Sequence, residues 1–124
     1  MAGNPRTKEG VGNVSNINDA IIEALRPTGI YTTANRKQAK TNVYFVFNYD
    51  STGDNFGDDA PNNERYLIQI HLFCPPDKDT VELIGKVKKL LFENDFTFPE
   101  MINDSDEEAQ HLIFECEKVV EVYG

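Results

Sequence analysis

The chain has 124 residues, with 21 acidic against 12 basic side chains and a formal net charge of −9 at pH 7. This length suits one domain, because a chain of this size buries roughly two thirds of its unfolded surface around a single core. The acidic balance disfavours sequence-independent binding of nucleic acid, which needs a cationic surface to displace phosphate counterions. The one exception is a protein whose acidic surface lets DNA slide past without binding it.

No segment of the chain resembles a signal peptide, and no apolar run approaches the length that spans a bilayer. We therefore expect a soluble, intracellular protein without membrane contact. Residues 1–14 combine Gly, Asn and charged side chains with little to bury, which predicts a flexible N-terminal arm. A single α+β domain is expected over residues 15–124.

The first predicted element of the domain is a short amphipathic helix. Asn16 or Asn18 can cap its N-terminus, and Pro27 followed by Gly29 ends it. Between these signals the apolar residues form one stripe: Ile17, Ala20, Ile21, Ala24 and Leu25.

A brief strand at Ile30 to Thr32 and a polar connector from Ala34 to Thr41 lead into an aromatic strand, Val43 to Tyr49. Both faces of this strand are apolar, unlike those of a strand that faces solvent on one side. One face carries Val43, Phe45, Phe47 and Tyr49, and the other carries Tyr44 and Val46. We therefore expect helices on one side of the sheet, and either the second helix or a neighbouring subunit on the other.

The acidic segment Asp50 to Glu64 contains Gly53, Gly57 and Pro61 and has Phe56 as its large apolar residue. This composition predicts a polar loop. The loop would be long for a hairpin connection, so we expect it to be either functional or disordered.

Alternating apolar residues then predict a strand that is buried mainly on one side: Tyr66, Ile68, Ile70, Leu72 and Cys74. Pro75 and Pro76 end this strand. From Thr80 onward a second amphipathic helix is predicted, with apolar residues at helical spacing: Leu83, Ile84, Val87, Leu90 and Leu91. We expect this helix to fold back onto the sheet.

The remaining chain predicts a short strand at Phe96 to Phe98 and an acidic loop from Met101 to Glu108. A last strand follows, with alternating apolar residues at Leu112, Phe114, Cys116 and Val120. The order is therefore a helix, three strands, a helix and two strands. It predicts an α+β domain with a mostly antiparallel sheet of four to five strands and two helices packed on it.

Metal sites find little support in the sequence. The segment DSTGDNFGDD offers carboxylates, but it lacks the alternating ligands and fixed glycine of an EF-hand, so a solvated loop is favoured over an ion site. His71 and His111 are too few to complete a zinc site and are expected to be exposed or edge-facing. Cys74 and Cys116 fall on apolar strand faces, which favours buried, reduced thiols over a disulfide or a metal role.

Catalytic motifs are not evident either. The glycines do not lie between a strand and a helix, as a phosphate-binding loop requires. Ser15, Ser51 and Ser105 lie in predicted caps or loops without a nucleophile elbow. We therefore predict no enzyme activity, no catalytic residue and no cofactor, and we favour a role in binding or assembly.

Four stretches of the chain carry a resemblance when taken together: ALRPTGI near residues 24–30, VYFVFNYD, NFGDDAPNNERYLIQIHLFCPPDKD leading into VELIGKVKKLLFENDFTF, and EEAQHLIFECEKVV. In order and character they resemble the small tail-terminator or tail-completion proteins of long-tailed, siphovirus-type bacteriophages and prophages of Gram-positive bacteria. The resemblance covers residues 16–122. The N-terminal arm and the extended acidic segment depart from the family.

The resemblance implies a structural virion protein without enzyme activity. Such proteins form a ring, commonly a hexamer, that caps the head-proximal end of the tail and helps to join the head. The implied partners are further copies of the chain, the tail-tube protein and the head-connector protein, and DNA would pass through the ring without being read. The implied location is the host cytoplasm during assembly and then the tail-head junction of the virion. The acidic balance would suit such a lumen, because like charges prevent adhesion.

Candidate interface residues follow from the doubly apolar strand and the acidic segment. They are Tyr44, Val46 and Tyr49, which could face a neighbouring subunit, and Phe56, Asp58 and Asp59, which could touch an adjacent subunit or the tail tube. Three alternatives stay open. The first is a head-completion or connector protein of the same junction, the second is a small-ligand-binding regulatory module, and the third is a metal-dependent enzyme that uses the acidic segment.

Overall fold

The computed structural model describes residues 16–35, 42–57 and 60–121, with residues 54–57 and 60–62 described through their backbone. The predicted arm, residues 1–14, lies outside these ranges, as do Asp58 and Asp59. The described elements are α1 (Ile17–Leu25), a 3-10 turn (Arg26–Thr28), β1 (Tyr31–Ala34), β2 (Tyr44–Gly57), β3 (Ala60–Cys74), α2 (Val81–Glu93), β4 (Glu100–Asn103) and β5 (Gln110–Glu121).

The strands form a five-stranded sheet in the order β1-β2-β3-β5-β4. β1 runs parallel to β2, whereas all other neighbouring strands in this sheet are antiparallel. The predicted α+β architecture, a mostly antiparallel sheet with two helices packed on it, is therefore confirmed. Neither of the helices in the described ranges has the length and apolar character needed to cross a membrane.

One face of the sheet, which we call the inner face, packs against both helices and contains the core. Over part of β2, β3 and β5, every second residue joins residues of α1 and α2 in a single buried cluster. The largest fully buried side chains are Phe45, Phe47, Phe114, Ile21, Leu25, Ile70, Leu72, Leu91 and Leu112. Burying one such side chain contributes roughly 1.5–3 kcal/mol, so this layer supplies most of the favourable free energy of folding.

Capping and one hydrogen bond fix α1 on the sheet. The Asn16 side chain accepts a hydrogen bond from the Asp19 N–H at 2.9 Å, so Asn16 is the N-cap. Asn18 has a different role, because its Oδ1 accepts a hydrogen bond from the Tyr49 hydroxyl of β2 at 2.6 Å. Gly29 ends the 3-10 turn with φ of 70°, a left-handed conformation that favours glycine.

The expectation of a polar loop between Asp50 and Glu64 is wrong. β2 and β3 continue through this segment as a long hairpin, in which Asp50 pairs with Leu67 and Gly53 pairs with Glu64. The far end of β5 pairs with β3 alongside it. A β-ladder is held by backbone hydrogen bonds and tolerates polar side chains wherever its faces meet water. Composition alone therefore misassigned a polar stretch of strand as loop.

Two expectations for the later chain are also wrong. Residues 96–98 do not form a strand, and the fourth strand, β4, begins at Glu100 and takes in the start of the acidic loop predicted from Met101 to Glu108. Phe96 is buried but Phe98 is 60% exposed, so their alternation does not mark one buried face. Pro99, which follows, has no N–H to donate to a ladder. Met101 of β4 instead packs against the core. The last strand, β5, is confirmed.

Candidate functional site: the outer sheet face

The outer face is the side of the sheet opposite the helices. Because side chains alternate along a strand, the residues between the core positions point to this side. Its members include Tyr31 of β1, Tyr44, Val46, Asn48 and Asp50 of β2, Arg65, Leu67, Gln69, His71 and Phe73 of β3, Glu100 and Ile102 of β4, and His111, Ile113, Glu115, Glu117 and Val119 of β5.

No helix in the described ranges covers the outer face. Tyr31, Leu67, Ile102 and Val119 are each between 43% and 47% exposed, although all four belong to strands. Single exposed apolar side chains are ordinary, whereas several on one sheet face suggest contact with another surface. We therefore take the outer face as the candidate functional site.

One half of the outer face carries an aromatic–histidine cluster, formed by Tyr44, His71, Phe73 and His111. The rings of Tyr44 and Phe73 stack with centroids 5.1 Å apart, and those of Phe73 and His111 stack at 4.3 Å. The two imidazoles stack at 5.0 Å. Tyr44, Phe73 and His111 occupy paired positions of β2, β3 and β5, so their stacked rings form a continuous row across this half of the face.

A chain of hydrogen bonds crosses the same half of the face. Asn48 Nδ2 lies 3.3 Å from His71 Nε2, and His71 Nδ1 lies 2.7 Å from His111 Nε2. His111 Nδ1 lies 3.5 Å from the Asp104 carboxylate. If Asn48 donates to His71 Nε2, each imidazole carries its proton on Nδ1 and donates it to the next acceptor, so two neutral rings satisfy the whole chain.

The environment of His71 favours its neutral form. Burial lowers the pKa of His71 most strongly, and neighbouring His111 lowers it further, while Asp104 and Glu115 act in the opposite direction. A proton added to His71 Nε2 would also face the N–H group of the Asn48 amide. His71 therefore resists protonation.

The other half of the outer face contains an acidic cavity with a volume of about 550 Å³. It crosses β2, β3 and β5, and Thr97 and Phe98 close one side of it. Its outward-facing lining residues are Asn48, Asp50, Leu67, Gln69, Glu100, Glu115 and Glu117. Carboxylates thus dominate its polar lining.

Two of these four carboxylates have side-chain partners. Arg65 Nη1 lies 2.9 Å from Glu117 Oε1, and Gln69 Nε2 donates to Glu115 Oε2 at 2.8 Å. The side chains of Asp50 and Glu100 have no hydrogen-bond or ion-pair partner among the described residues. Within those same residues, no group of three His, Cys, Asp or Glu side chains is placed to hold a metal ion.

The structure separates the residues that the sequence proposed as an interface. Tyr44 and Val46 lie on the outer face, but Tyr49 lies on the inner face, where its ring contacts Tyr66 edge-on at 5.4 Å. Phe56 belongs to β2 through its backbone, and its side chain lies outside the described part of the chain. Asp58 and Asp59 also lie outside it.

Two further residues of the site were not recognised as a pair from the sequence. His71 and His111 were expected to be exposed or edge-facing, but they are half-buried and in contact. Only the register of β3 against β5, which pairs Phe73 with His111, brings them together. The cysteines behave as expected, since Cys74 and Cys116 are buried and free. Burial raises the pKa of the Cys116 thiol to about 12, so this group stays protonated.

Comparison with known proteins supports the fold alone. No family model matches the sequence. No curated protein matches it either. Fourteen chains among the solved structures match. One of them aligns with a TM-score of 0.56 and 11% sequence identity over 87% of this chain and 95% of that chain. That protein has no name that describes a function, and the low identity limits the likeness to the α+β architecture.

Proposed function

We propose that this chain is a non-enzymatic structural subunit that assembles with further copies of itself through the outer face of its sheet. The observation that carries the proposal is the aromatic–histidine cluster beside exposed Tyr31 and Ile102, on a face that no described helix covers. Aromatic side chains are enriched in the buried centres of protein interfaces, where they supply large contact area.

The free edge of β2 offers a second contact surface. β1 pairs with β2 from Tyr44 to Phe47. From Asn48 onward, β2 has no second neighbour among the described strands. An open edge tends either to be covered or to pair with another chain. A ring with cyclic symmetry needs two different complementary surfaces on each subunit. The outer face and this edge would meet that requirement.

The specific assembly that we propose is the ring of a tail-terminator or tail-completion protein of a long-tailed bacteriophage or prophage. The order and character of the segments resemble that family, and the net charge of −9 suits a passage for DNA. The partners would be the tail-tube and head-connector proteins. The protein would act in the host cytoplasm and then at the tail-head junction of the virion. A head-completion protein of the same junction is the nearest variant.

Light scattering over a wide concentration range, with negative-stain images of the same sample, tests self-assembly. We expect one mass that is a fixed multiple of 14.0 kDa, together with closed rings in the images. A persistent monomer at every concentration would contradict assembly through the outer face.

Particles made without the protein test its place in a virion. Tails that are over-long or not joined to heads would support the terminator role. Heads that leak their DNA beside normal tails would instead support the head-completion variant. Normal infectious particles would contradict both.

The acidic cavity favours one second candidate, a small-ligand-binding module. Its volume of about 550 Å³ lies within the usual range for ligand sites. Thermal unfolding across a metabolite panel separates this candidate from assembly. A saturable rise in Tm with one compound would support ligand binding, because a ligand that binds only the folded state stabilises it.

A further inference from the structure

We propose that mild acid releases copies of this chain from one another, and that the paired imidazoles of His71 and His111 take up the protons that cause the release. The inference rests on the proposed assembly through the outer face, because it concerns what happens when the aromatic–histidine cluster is buried in that contact. It adds a control of the contact by pH.

Composition restricts the groups that can respond to mild acid. The chain has two histidines, and both belong to the cluster. The ordinary pKa of histidine, about 6.5, places its change of charge in this range, whereas carboxylates of ordinary pKa stay charged down to about pH 5. Burial raises the pKa of the Cys74 and Cys116 thiols, so they stay protonated. The histidine pair is therefore the main source of a response between about pH 7 and 5.5.

The hydrogen-bond chain leaves no ring nitrogen ready for a further proton. His71 Nε2 lies 3.3 Å from Asn48 Nδ2, His71 Nδ1 lies 2.7 Å from His111 Nε2, and His111 Nδ1 faces Asp104. Uptake of one proton by the pair requires the Asn48 amide to turn, so that its oxygen accepts a hydrogen bond. Uptake of two protons would place two N–H groups against each other across the 2.7 Å contact. The rings must then separate.

The charged neighbours of the pair are carboxylates. Asp104, in the connection between β4 and β5, lies 3.5 Å from His111 Nδ1, and both Asp104 and Glu115 of β5 favour a proton on His71. β2 contributes the uncharged side chains of Asn48 and Tyr44. Burial nevertheless outweighs the two carboxylates and lowers the pKa of His71. Further burial in a contact between copies acts in the same direction.

Protonation opposes the contact in two ways. A neighbouring copy on the cluster removes water from the imidazoles, which disfavours their charged form. Separation of the rings also breaks the row in which His111 stacks on Phe73 at 4.3 Å. Because a free copy takes up protons that an assembled copy resists, the assembly weakens as the pH falls.

Linkage sets the size of the effect. One histidine with an ordinary pKa in the free copy, and neutral in the assembly, would raise the Kd of each contact about eightfold between pH 7.0 and 5.5. The pKa of His71 is already lowered in the folded chain. We therefore expect a rise of about fourfold.

Analytical ultracentrifugation of the full chain at pH 7.0 and 5.5, at equal ionic strength, tests the proposal. The measured quantity is the ratio of the two Kd values within each protein. Far-UV circular dichroism at both pH values should show the same folded chain. A double variant, His71→Gln with His111→Gln, should give a ratio below about 1.5, because neither glutamine titrates.

A second pair of variants gives an independent readout, because the double variant also changes the contact itself. Asp104→Asn removes a carboxylate that favours protonation, so its ratio should fall below about two. Glu82→Gln is the matched control, since it removes the same charge from an exposed position in the first turn of α2. Its ratio should equal that of the wild type.

The outcomes separate this inference from the assembly on which it rests. An assembly with the same Kd at pH 7.0 and 5.5 would overturn the inference alone. Equal ratios for Asp104→Asn and Glu82→Gln would assign the response to other groups and would overturn it too, as would loss of the far-UV signal at pH 5.5. A monomer at pH 7.0 at every concentration would overturn the assembly and the inference together.

Discussion

β3 and β5 present two different surfaces from the same backbone. Leu72 and Phe114 face the helices and are fully buried, while His71 and Ile113 stand next to them in sequence and are only half-buried. Since both sets share their strands and their hydrogen-bonded ladder, the helices alone make the difference. The inner face thus stabilises the domain by itself. The outer face leaves the surface of its aromatic side chains available for contact with another molecule.

The largest expected effect comes from neighbouring substitutions on β5. Phe114→Ala should lower the free energy of unfolding by about 3–5 kcal/mol, because it removes a fully buried ring from the core. Ile113→Ala, on the outer face, should cost about 1 kcal/mol, since the side chain keeps contact with water. Urea unfolding of both variants at a concentration that gives monomers measures the difference. Equal losses would show that the two faces contribute alike.

A smaller effect separates two tyrosines of β2. Tyr49→Phe removes the hydroxyl that donates to Asn18 of α1 and should cost about 1 kcal/mol. Tyr44→Phe is the matched control, because the Tyr44 hydroxyl makes no hydrogen bond among the described residues. Its stability should stay within about 0.5 kcal/mol of the wild type. Thermal unfolding of the two variants tests this. A larger loss for Tyr44→Phe would contradict the assignment of the two faces.

The smallest effect is a dependence on pH. The folded pKa of His71 lies below its ordinary value of 6.5, mainly through burial. As the pH falls below about 6.5, the unfolded chain therefore takes up a proton that the folded chain resists, and stability declines. Well above that pH, His71 is neutral in both the folded and the unfolded chain and contributes nothing to the pH dependence of stability. His71→Gln should lose less stability than the wild type between pH 7.5 and 5.5. Identical losses would remove His71 as the cause.

Much of the architecture was predictable from the sequence, because it depends on local periodicity. The alternation from Tyr66 to Cys74 and the helical spacing around Val87 each reflect one buried face. The hairpin beyond Asp50 was not predictable in this way, because its strand state comes from pairing with residues distant in the sequence. The polar composition of this segment reflects the contact of its side chains with solvent and does not determine the conformation of its backbone.

The candidate site was predictable only in part. Two apolar faces on one strand pointed to a second covering surface, and Tyr44 and Val46 do lie on the outer face. Tyr49 was expected at the interface, yet it lies with the helices. The histidine pair and the acidic cavity depend on the register between β2, β3 and β5, which no local pattern reveals.

The most direct test of assembly through the outer face compares two single substitutions by analytical ultracentrifugation. Ile102→Glu places a charge on the outer face, at a residue that is 46% exposed. Val81→Glu places the same charge at the helix layer, at a residue that is 76% exposed. The account predicts that Ile102→Glu sediments as a folded monomer while Val81→Glu keeps the mass of the wild-type assembly. An intact assembly with Ile102→Glu, or a monomer only with Val81→Glu, would contradict it.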